Sequence, residues 1–492
     1  MSFSWSQSDQ VVVHWQKSIG MQGEDVLNNM IEDEDGNFYF VGSTQTAGSQ
    51  TTDILVSKHS PEGLEIWTKI IGASGDDKGI DIELLGNTLF VLSSSNSTHG
   101  AFSSSSGRED IVLLRLDLEG NLKGMSRFGG NYSDIPTDIT QTSNGELLIS
   151  AHSESTEGLL DQNKGQFDAW VFRLDRFGTL IWKKNFGGSD EDFSRRIAEL
   201  SNGEILLFGH SASYDGDMML NYGDLDLSLF KLSPSGEIIW EQNYGGLQAE
   251  VAVDLLIGNQ EQIILASNTL SLSYDISKNA GFSDAWVVEV DATNGGILWE
   301  CTHGSEYGDY AAALSMDESN QLYIMGTTNA MIFRGEESSG NRDAWIAQVN
   351  TPNSIDHLAL YGGEGFESIN DFSVLNDGTF LMIGGSNSTN YLFSGNNGNS
   401  DGWVMKAELN DLNGSSVEAV TAHPNPTNGE VYLNHLTDTD KVVIYSTSGQ
   451  IIDAFDATSF SQTLDLTHVT SGLYLVKIER NSGSELIRLI RE

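Results

Sequence analysis

The sequence predicts an all-β chain: a seven-bladed β-propeller of four-stranded blades, about 58 residues each, followed by a small β-sandwich. Three observations carry this. Aspartate recurs as Asp53, Asp110, Asp168, Asp226, Asp284, Asp343 and Asp401, and glycine as Gly20, Gly72, Gly129, Gly187, Gly245, Gly304 and Gly362. The spacing from each such aspartate to the next glycine is 19 in five of the six complete pairs, and 20 where Gly295-Gly296 adds a residue. After residue 410 the recurrence stops and the composition changes.

One repeat shows the elements. After Gly187, residues 193–200 form an apolar stretch, strand a, and Asn202-Gly203 is a hairpin signal. Strand b is expected over 204–210. A longer loop follows over 211–225, rich in Gly, Asp, Asn and Tyr. Strand c is expected over 226–232, a turn at Gly236, and strand d over 238–244. The a–b turn is expected at Asp35-Gly36, Gly86-Asn87, Asn144-Gly145, Gly258-Asn259, Asn320-Gln321 and Asp377-Gly378 in the other repeats. Four-stranded units repeated radially make a propeller, whereas solenoid repeats are shorter and lack the meander.

The ends of the repeat region complement each other. Residues 11–19 carry Trp15 and precede Gly20, as strand d does elsewhere, and the last repeat stops after strand c, 401–408. The first strand is therefore expected to complete the seventh blade, leaving no open edge. Trp15, Trp67, Trp182, Trp240 and Trp299 on strand d, and Trp170, Trp286, Trp345 and Trp403 on strand c, read as packing between blades. The recurring aspartate before strand c reads as a cap that accepts loop amides.

Composition excludes several functions. Lys+Arg number 25 and Asp+Glu 70, so the net charge is 25 − 70 = −45. A nucleic-acid backbone or an anionic membrane surface would be repelled. Cys301 is the single cysteine, so no intrachain disulfide forms. No run of 18 apolar residues is present, and no membrane span is expected. There is no HExxH zinc motif and no P-loop, and the ten histidines lack metal-ligand spacing. Asp33-Glu34-Asp35-Gly36-Asn37 has the flavour of a calcium loop but coincides with a hairpin turn.

Five residues beyond each anchor glycine the chain has Asp25, Asp77, Asp134, Asp192, Glu250, Asp309 and Glu367, all acidic. Four further on stand Asn29, Asp81, Asp138, Arg196, Asp254, Ala313 and Asp371. One reading is a carboxylate ring around the channel that binds Ca²⁺. The other is that each acid bonds loop amides within its own blade. Carboxylates about 10 Å apart in water repel by only about 0.4 kcal/mol, so the ring needs no metal and the second reading is favoured; no cofactor is required. The b–c loops are long and variable, the usual place for binding on a rigid scaffold. Their aromatics, among them Tyr214, Tyr222, Phe333 and Tyr391, with Phe102, Phe167, Phe282 and Phe393, suit a glycan or a basic protein patch on that face.

Patterns such as GGSDEDFSRRIAELSNGEILLFGHS and DAWVFRLDRFGTLIW resemble the bacterial SBBP β-propeller repeat over residues 11 to 408. After a polar linker, 411–420, residues 421–492 resemble the type A C-terminal sorting domain of the type IX secretion system of Bacteroidota. The residues that carry this are Pro424-Asn425-Pro426, Gly449, Gly472-Leu473-Tyr474 and the final strand 487–491. The resemblance implies a propeller domain over 1–410, the secretion machinery as partner, and a secreted or outer-membrane-surface protein. Such export also requires a Sec signal peptide. MSFSWSQSDQ lacks its charged and apolar regions, so a start upstream of Met1 is expected. The function expected is a non-enzymatic binding or adhesion module, the alternative a surface glycan-degrading enzyme.

Overall fold

Blade 4 shows how the pattern becomes structure. Its strands are Asp192–Glu199, Ile205–Ser211, Asp226–Leu232 and Ile238–Tyr244, paired in that order and antiparallel. Strands b and c are buried along nearly their whole length, with runs such as Ile205–Phe208 and Leu227–Phe230. They lie mid-sheet with a blade on either side, so both faces are apolar. Strand d is outermost and half exposed.

The computed structural model describes residues 11–21, 23–46, 48–99, 102, 108–333, 336–338, 341–350, 354–389, 399–409, 421–423, 427, 429–434, 441–446, 451–456, 461–480 and 483–491. They fall into two compact units, residues 1–408 and 409–492. The first holds seven four-stranded sheets. Six are consecutive meanders, whose first strands begin at Asp25, Asp77, Asp134, Asp192, Glu250 and Asp309. The seventh joins Glu367–Val374, Phe380–Ser386 and Asp401–Leu409 to the N-terminal strand Val11–Ile19. Among the described residues no helix is long and apolar enough to cross a membrane.

The core lies between blades. Leu148, Val171 and Phe186 of blade 3 pack with Ile197, Leu207 and Phe230 of blade 4. At the closure Ile19, Ile383 and Val404 of blade 7 pack with Leu27, Phe38 and Phe40 of blade 1. The tryptophans serve this contact as expected. Trp170, Trp286 and Trp345 are fully buried. Trp15 and Trp67 on strand d donate Nε1 to the next blade's c–d turn, at Pro61 O and Leu118 O, both 3.0 Å.

The recurring Asp-to-Gly pairing has a steric cause. Strand c begins beside the end of strand d, and the aspartate lies over the glycine that follows. A Cβ at Gly72 would sit 1.8 Å from Asp53 Oδ1, and one at Gly129 2.3 Å from Asp110 Oδ1. The other oxygen caps the loop: Asp168 Oδ2 accepts Lys164 N at 2.7 Å and Asp284 Oδ2 accepts Ala280 N at 2.6 Å.

One a–b turn differs from expectation, and another falls where expected without a glycine. In blade 4 Gly203 takes the left-handed position, φ 83°. In blade 5 that position falls to Glu261, φ 62°, and not to the Gly258-Asn259 pair; in blade 6 it falls to Asn320, φ 67°. The hairpin ladder sets the turn, so the residue at its third place must adopt this conformation whatever its type.

The second unit is a small sandwich. One sheet orders Thr421–His423, Glu430–Asn434 and Ser461–Asp465; the other Ile451–Asp456, Lys441–Ser446, Gly472–Arg480 and Gly483–Arg491. Val431, Leu433 and Leu464 of the first pack with Val442, Ile444, Val476 and Leu489 of the second.

The N-terminal strand is the ring's closing element. Deleting residues 1–20 exposes the edge of Asp401–Leu409 and strips the cover from Leu27 and Phe38. The melting temperature of the full chain, read by calorimetry, is expected to fall by about 5 °C or more, since each large apolar side chain uncovered costs about 1.5–3 kcal/mol.

Candidate functional site

Each expected ring acid is the first residue of strand a and is buried: Asp25 is 2% exposed and Asp77, Asp134, Asp192, Glu250, Asp309 and Glu367 0%. Their oxygens are spent within their own blades. Asp192 Oδ2 accepts Gly188 N at 2.6 Å and Ser213 Oγ at 2.9 Å, while Oδ1 accepts Ser211 Oγ. Asp77 does the same with Ala73 N, Ser97 and Ser95, and Asp134 with Gly130 N, Ser155 and Ser153. Glu250 takes Gly246 N and Thr269, Glu367 takes Gly363 N and Ser386, Asp309 takes Ser305 Oγ, and Asp25 takes Met21 N. The arrangement is a clamp on the d–a turn and the end of strand b. Among the described residues no group of three or more His, Cys, Asp or Glu is placed to hold a metal ion. The hydroxyl partners form a Ser-x-Ser recurrence, Ser95/Ser97, Ser153/Ser155, Ser211/Ser213 and Ser386/Ser388, that the reading of the acids alone missed.

The second set of positions does reach the channel. Every strand a has a bulge just before it, between Leu27 and Asn29, Gly79 and Asp81, Pro136 and Asp138, Ser194 and Arg196, Ala252 and Asp254, Ala311 and Ala313, and Ile369 and Asp371. A bulge re-aims the side chain that follows it. Asp81 Oδ2 accepts Ile139 N at 2.9 Å, Asp138 Oδ2 accepts Ile197 N at 2.7 Å and Asp254 Oδ2 accepts Leu314 N at 2.7 Å, each in the next blade. Arg196 crosses between its neighbours, 2.8 Å from Asp254 Oδ1 and 3.3 Å from Asp138 Oδ1. Burial opposes its charge, but Asp254, Asp138, Asp81 and Asp371 outweigh burial and hold the guanidinium protonated. Burial raises Asp371 to about 7, against Arg196, and raises Asp81 well above the carboxylate range, with Asp138 adding.

Above this set a cavity of 730 Å³ opens, lined by the first residues of strands a, the last of strands b and Arg342 just before strand c of blade 6. That is the end from which the b–c loops emerge. Asn28, Thr137, Arg195 and Asn370 face it, with His152, His210 and Asn268 from strands b. His210 Nδ1 accepts Ala252 N at 3.3 Å and Asn268 Oδ1 accepts Ala311 N at 2.7 Å, again across blades. Burial depresses His152 to about 3, with His210 adding, and His210 to about 4, with Arg195 adding, so both are neutral. None of the seven clamp acids lines the cavity.

The expected ligand-face aromatics divide. Phe333 is a correction: it is 0% exposed, packed on His303, Trp345 and His357. Phe102 is buried likewise. Loop length did not reveal that a large ring could fold back into the gap between blades. Tyr214 is 64% exposed and donates its hydroxyl to Gly223 O at 2.9 Å, pinning its own loop. Tyr222 stacks on Tyr274 of the next blade, centroids 4.9 Å apart, and Tyr274 is 66% exposed. Tyr274 escaped the sequence reading. Tyr391, Pro424, Asn425, Pro426 and Gly449 lie outside the described residues. Gly472 opens a strand of the sandwich, and Tyr474 is buried with its hydroxyl on Thr470 O at 2.7 Å. The run 398–402, GNSDG, has nucleophile-elbow spacing. Ser400, however, leads into strand c of blade 7, its carbonyl bonded to Asp25 N at 2.8 Å, and a strand, not a helix, follows.

Residues 421–492 match the family model for the secretion system C-terminal sorting domain. The second unit is a type IX sorting domain. It directs the protein to the medium or the outer-membrane surface. The regulatory protein FlaEY of Caulobacter vibrioides is 24% identical over 317 residues, covering 56% of this chain and 33% of its own length. The chain thus spans about a third of the curated relative it matches. Of solved structures, the extracellular region of plexin A4 is similar with TM-score 0.50 and 8% identity, over 96% of this chain and 53% of that one. The WD40 domain of Neurospora crassa Pan2 is similar with TM-score 0.46 and 10% identity, over 83% and 98%. The plexin likeness concerns the fold alone.

Burial raises Asp134 and Asp168 to about 6, and Glu83, Asp226, Glu241 and Asp371 to about 7. A carboxyl raised on folding binds its proton more tightly in the native state, so stability falls as pH rises towards the folded value. The three depressed histidines, His59, His152 and His210, act oppositely below pH about 6.5 but are outnumbered. The melting temperature is expected to be higher at pH 5.5 than at pH 8; a flat or rising profile across that window would contradict this.

Proposed function

We propose that this exported propeller is a binding module that holds a glycan or protein ligand on its loop face without turning it over. The observation that supports this is the open cavity of 730 Å³ walled by inner strands that bond to one another across blades. Such a wall is pre-formed, which lowers the cost of binding. Loops on the same face expose apolar side chains from three successive blades: Met219 and Leu220, Leu272 and Phe282, Met331 and Ile332, each at least 59% exposed. Exposed side chains on variable loops of a rigid scaffold are available for contact with a ligand. The glycan-degrading reading needs two carboxyl groups about 5–9.5 Å apart, and the described residues lining the cavity include none.

Two experiments test this. On a polysaccharide panel the full chain is expected to bind without releasing reducing ends, and Tyr222→Ala with Tyr274→Ala to weaken binding about tenfold at unchanged melting temperature. Release of reducing ends would favour the enzyme. For export, a reporter carrying a Sec signal before it and residues 415–492 behind it is expected outside type IX-competent cells. Retention in the periplasm would count against the tail as a sufficient signal.

A further inference from the structure

The cavity wall is unlike the rest of the protein in charge. The chain has 70 acidic residues, yet among the described residues no aspartate or glutamate lines the cavity, while Arg195, Arg196 and Arg342 do. Arg196 is neutralised by Asp254 and Asp138. Arg195 is not: its Nε donates to Val253 O at 2.9 Å, and among the described residues no carboxylate stands within ion-pair distance of it. Arg342 lies over the Tyr310 ring at 5.0 Å and gives Nε to Asn329 Oδ1 at 3.2 Å, also with no carboxylate partner among the described residues.

Arg195 occupies the bulge of blade 4, the extra residue that pairs with nothing on strand b. The equivalent residues elsewhere are Asn28, Ile80, Thr137, Val253, Ala312 and Asn370, so a cation here serves no repeated structural purpose. Burial, and then Arg196 beside it, press against its charge, with Asp254, Asp138 and Asp81 in partial relief. Arg195 is half-buried, with N–H groups open to the cavity; a cation partly withdrawn from water without a counter-ion gains from an anion that accepts those groups. The neutral His152 and His210 beside it leave those groups unopposed without adding charge. At physiological ionic strength the Debye length is about 8 Å, so the negative surface elsewhere is screened and the local guanidiniums decide.

We propose that the channel mouth binds an organic ligand through an oxyanion group, held by Arg195 with Arg342 as the second cation. This rests on the binding reading above and names its ligand class. The cavity volume is that of a whole small-molecule site, larger than an inorganic ion needs, so the charge is one end of a bigger ligand.

Calorimetric titration of the full chain with D-glucuronate, glucose 6-sulfate, glucose 6-phosphate and, as neutral control, glucose tests this at constant chloride. At least one charged sugar is expected to bind about tenfold or more tighter than glucose, and its identity tells carboxylate from sulfate from phosphate. Arg195→Gln is expected to abolish the preference, Arg195→Lys to keep part of it, and Arg342→Gln to reduce it at unchanged melting temperature. If Arg195→Gln does not fold, Arg342→Gln decides. Equal binding of charged and neutral sugars, or an unchanged preference in both glutamine variants, overturns the proposal. Polysaccharide binding with no charge preference defeats this inference and leaves the binding reading standing. Reducing-end release with the charge preference intact does the reverse.

Discussion

The structure depends on a buried carboxylate at the start of each inner strand. An ionised group away from water is tolerated only when its oxygens are filled by donors. In blade 4 Asp192 meets this with the Gly188 amide and the Ser211 and Ser213 hydroxyls. Those partners come from the turn entering the blade and from the end of its second strand, so one side chain fixes both ends of the loop face. The b–c loop beyond Ser213 is then free to vary in sequence without loosening the sheet. The cost is visible in Asp134, which burial lifts to about 6 despite three hydrogen bonds.

The bulge four residues on converts a uniform scaffold into a site. It turns one side chain of every inner strand towards the axis, where Asp81, Asp138 and Asp254 bond to the following blade's backbone. Because each blade contacts chiefly its neighbours, one blade can depart from the pattern at small cost to the rest. Blade 4 does so with Arg195-Arg196: the second arginine replaces a latch by two ion pairs, and the first is left facing the cavity. The channel thus has an acidic, self-satisfied lower layer and a mouth whose charged side chains, among the described residues, are arginines.

Much of the fold was legible because its causes are local or periodic. Strands c and d of blade 4 fall where Asp226, Gly236 and the apolar runs place them. The closing strand was legible from Trp15 and Gly20, which repeat a pattern found elsewhere in the chain. The turn of blade 5 was less so, since Glu261 accepts a left-handed conformation that the ladder imposes on it. The fate of the loop aromatics was not legible at all. Phe333 and Tyr274 are both rings in long loops; one fills the gap beside His303 and Trp345, the other stands 66% exposed against Tyr222.

By itself the sequence determined the number of blades, their strand order, the ring closure and the sorting tail. Each is written in spacing or in a short motif, and spacing survives without knowledge of contacts. Only the tertiary structure decided what the recurring acids do. Asp192 and Asp254 are both acidic positions of the same strand in successive repeats, four residues apart in phase. One is sealed under its own loop, the other reaches across to the Leu314 amide of the next blade. The difference is the bulge between those two positions, which rotates the chain relative to its partner strand. It is fixed by ladder register and neighbouring blades, and no residue type announces it.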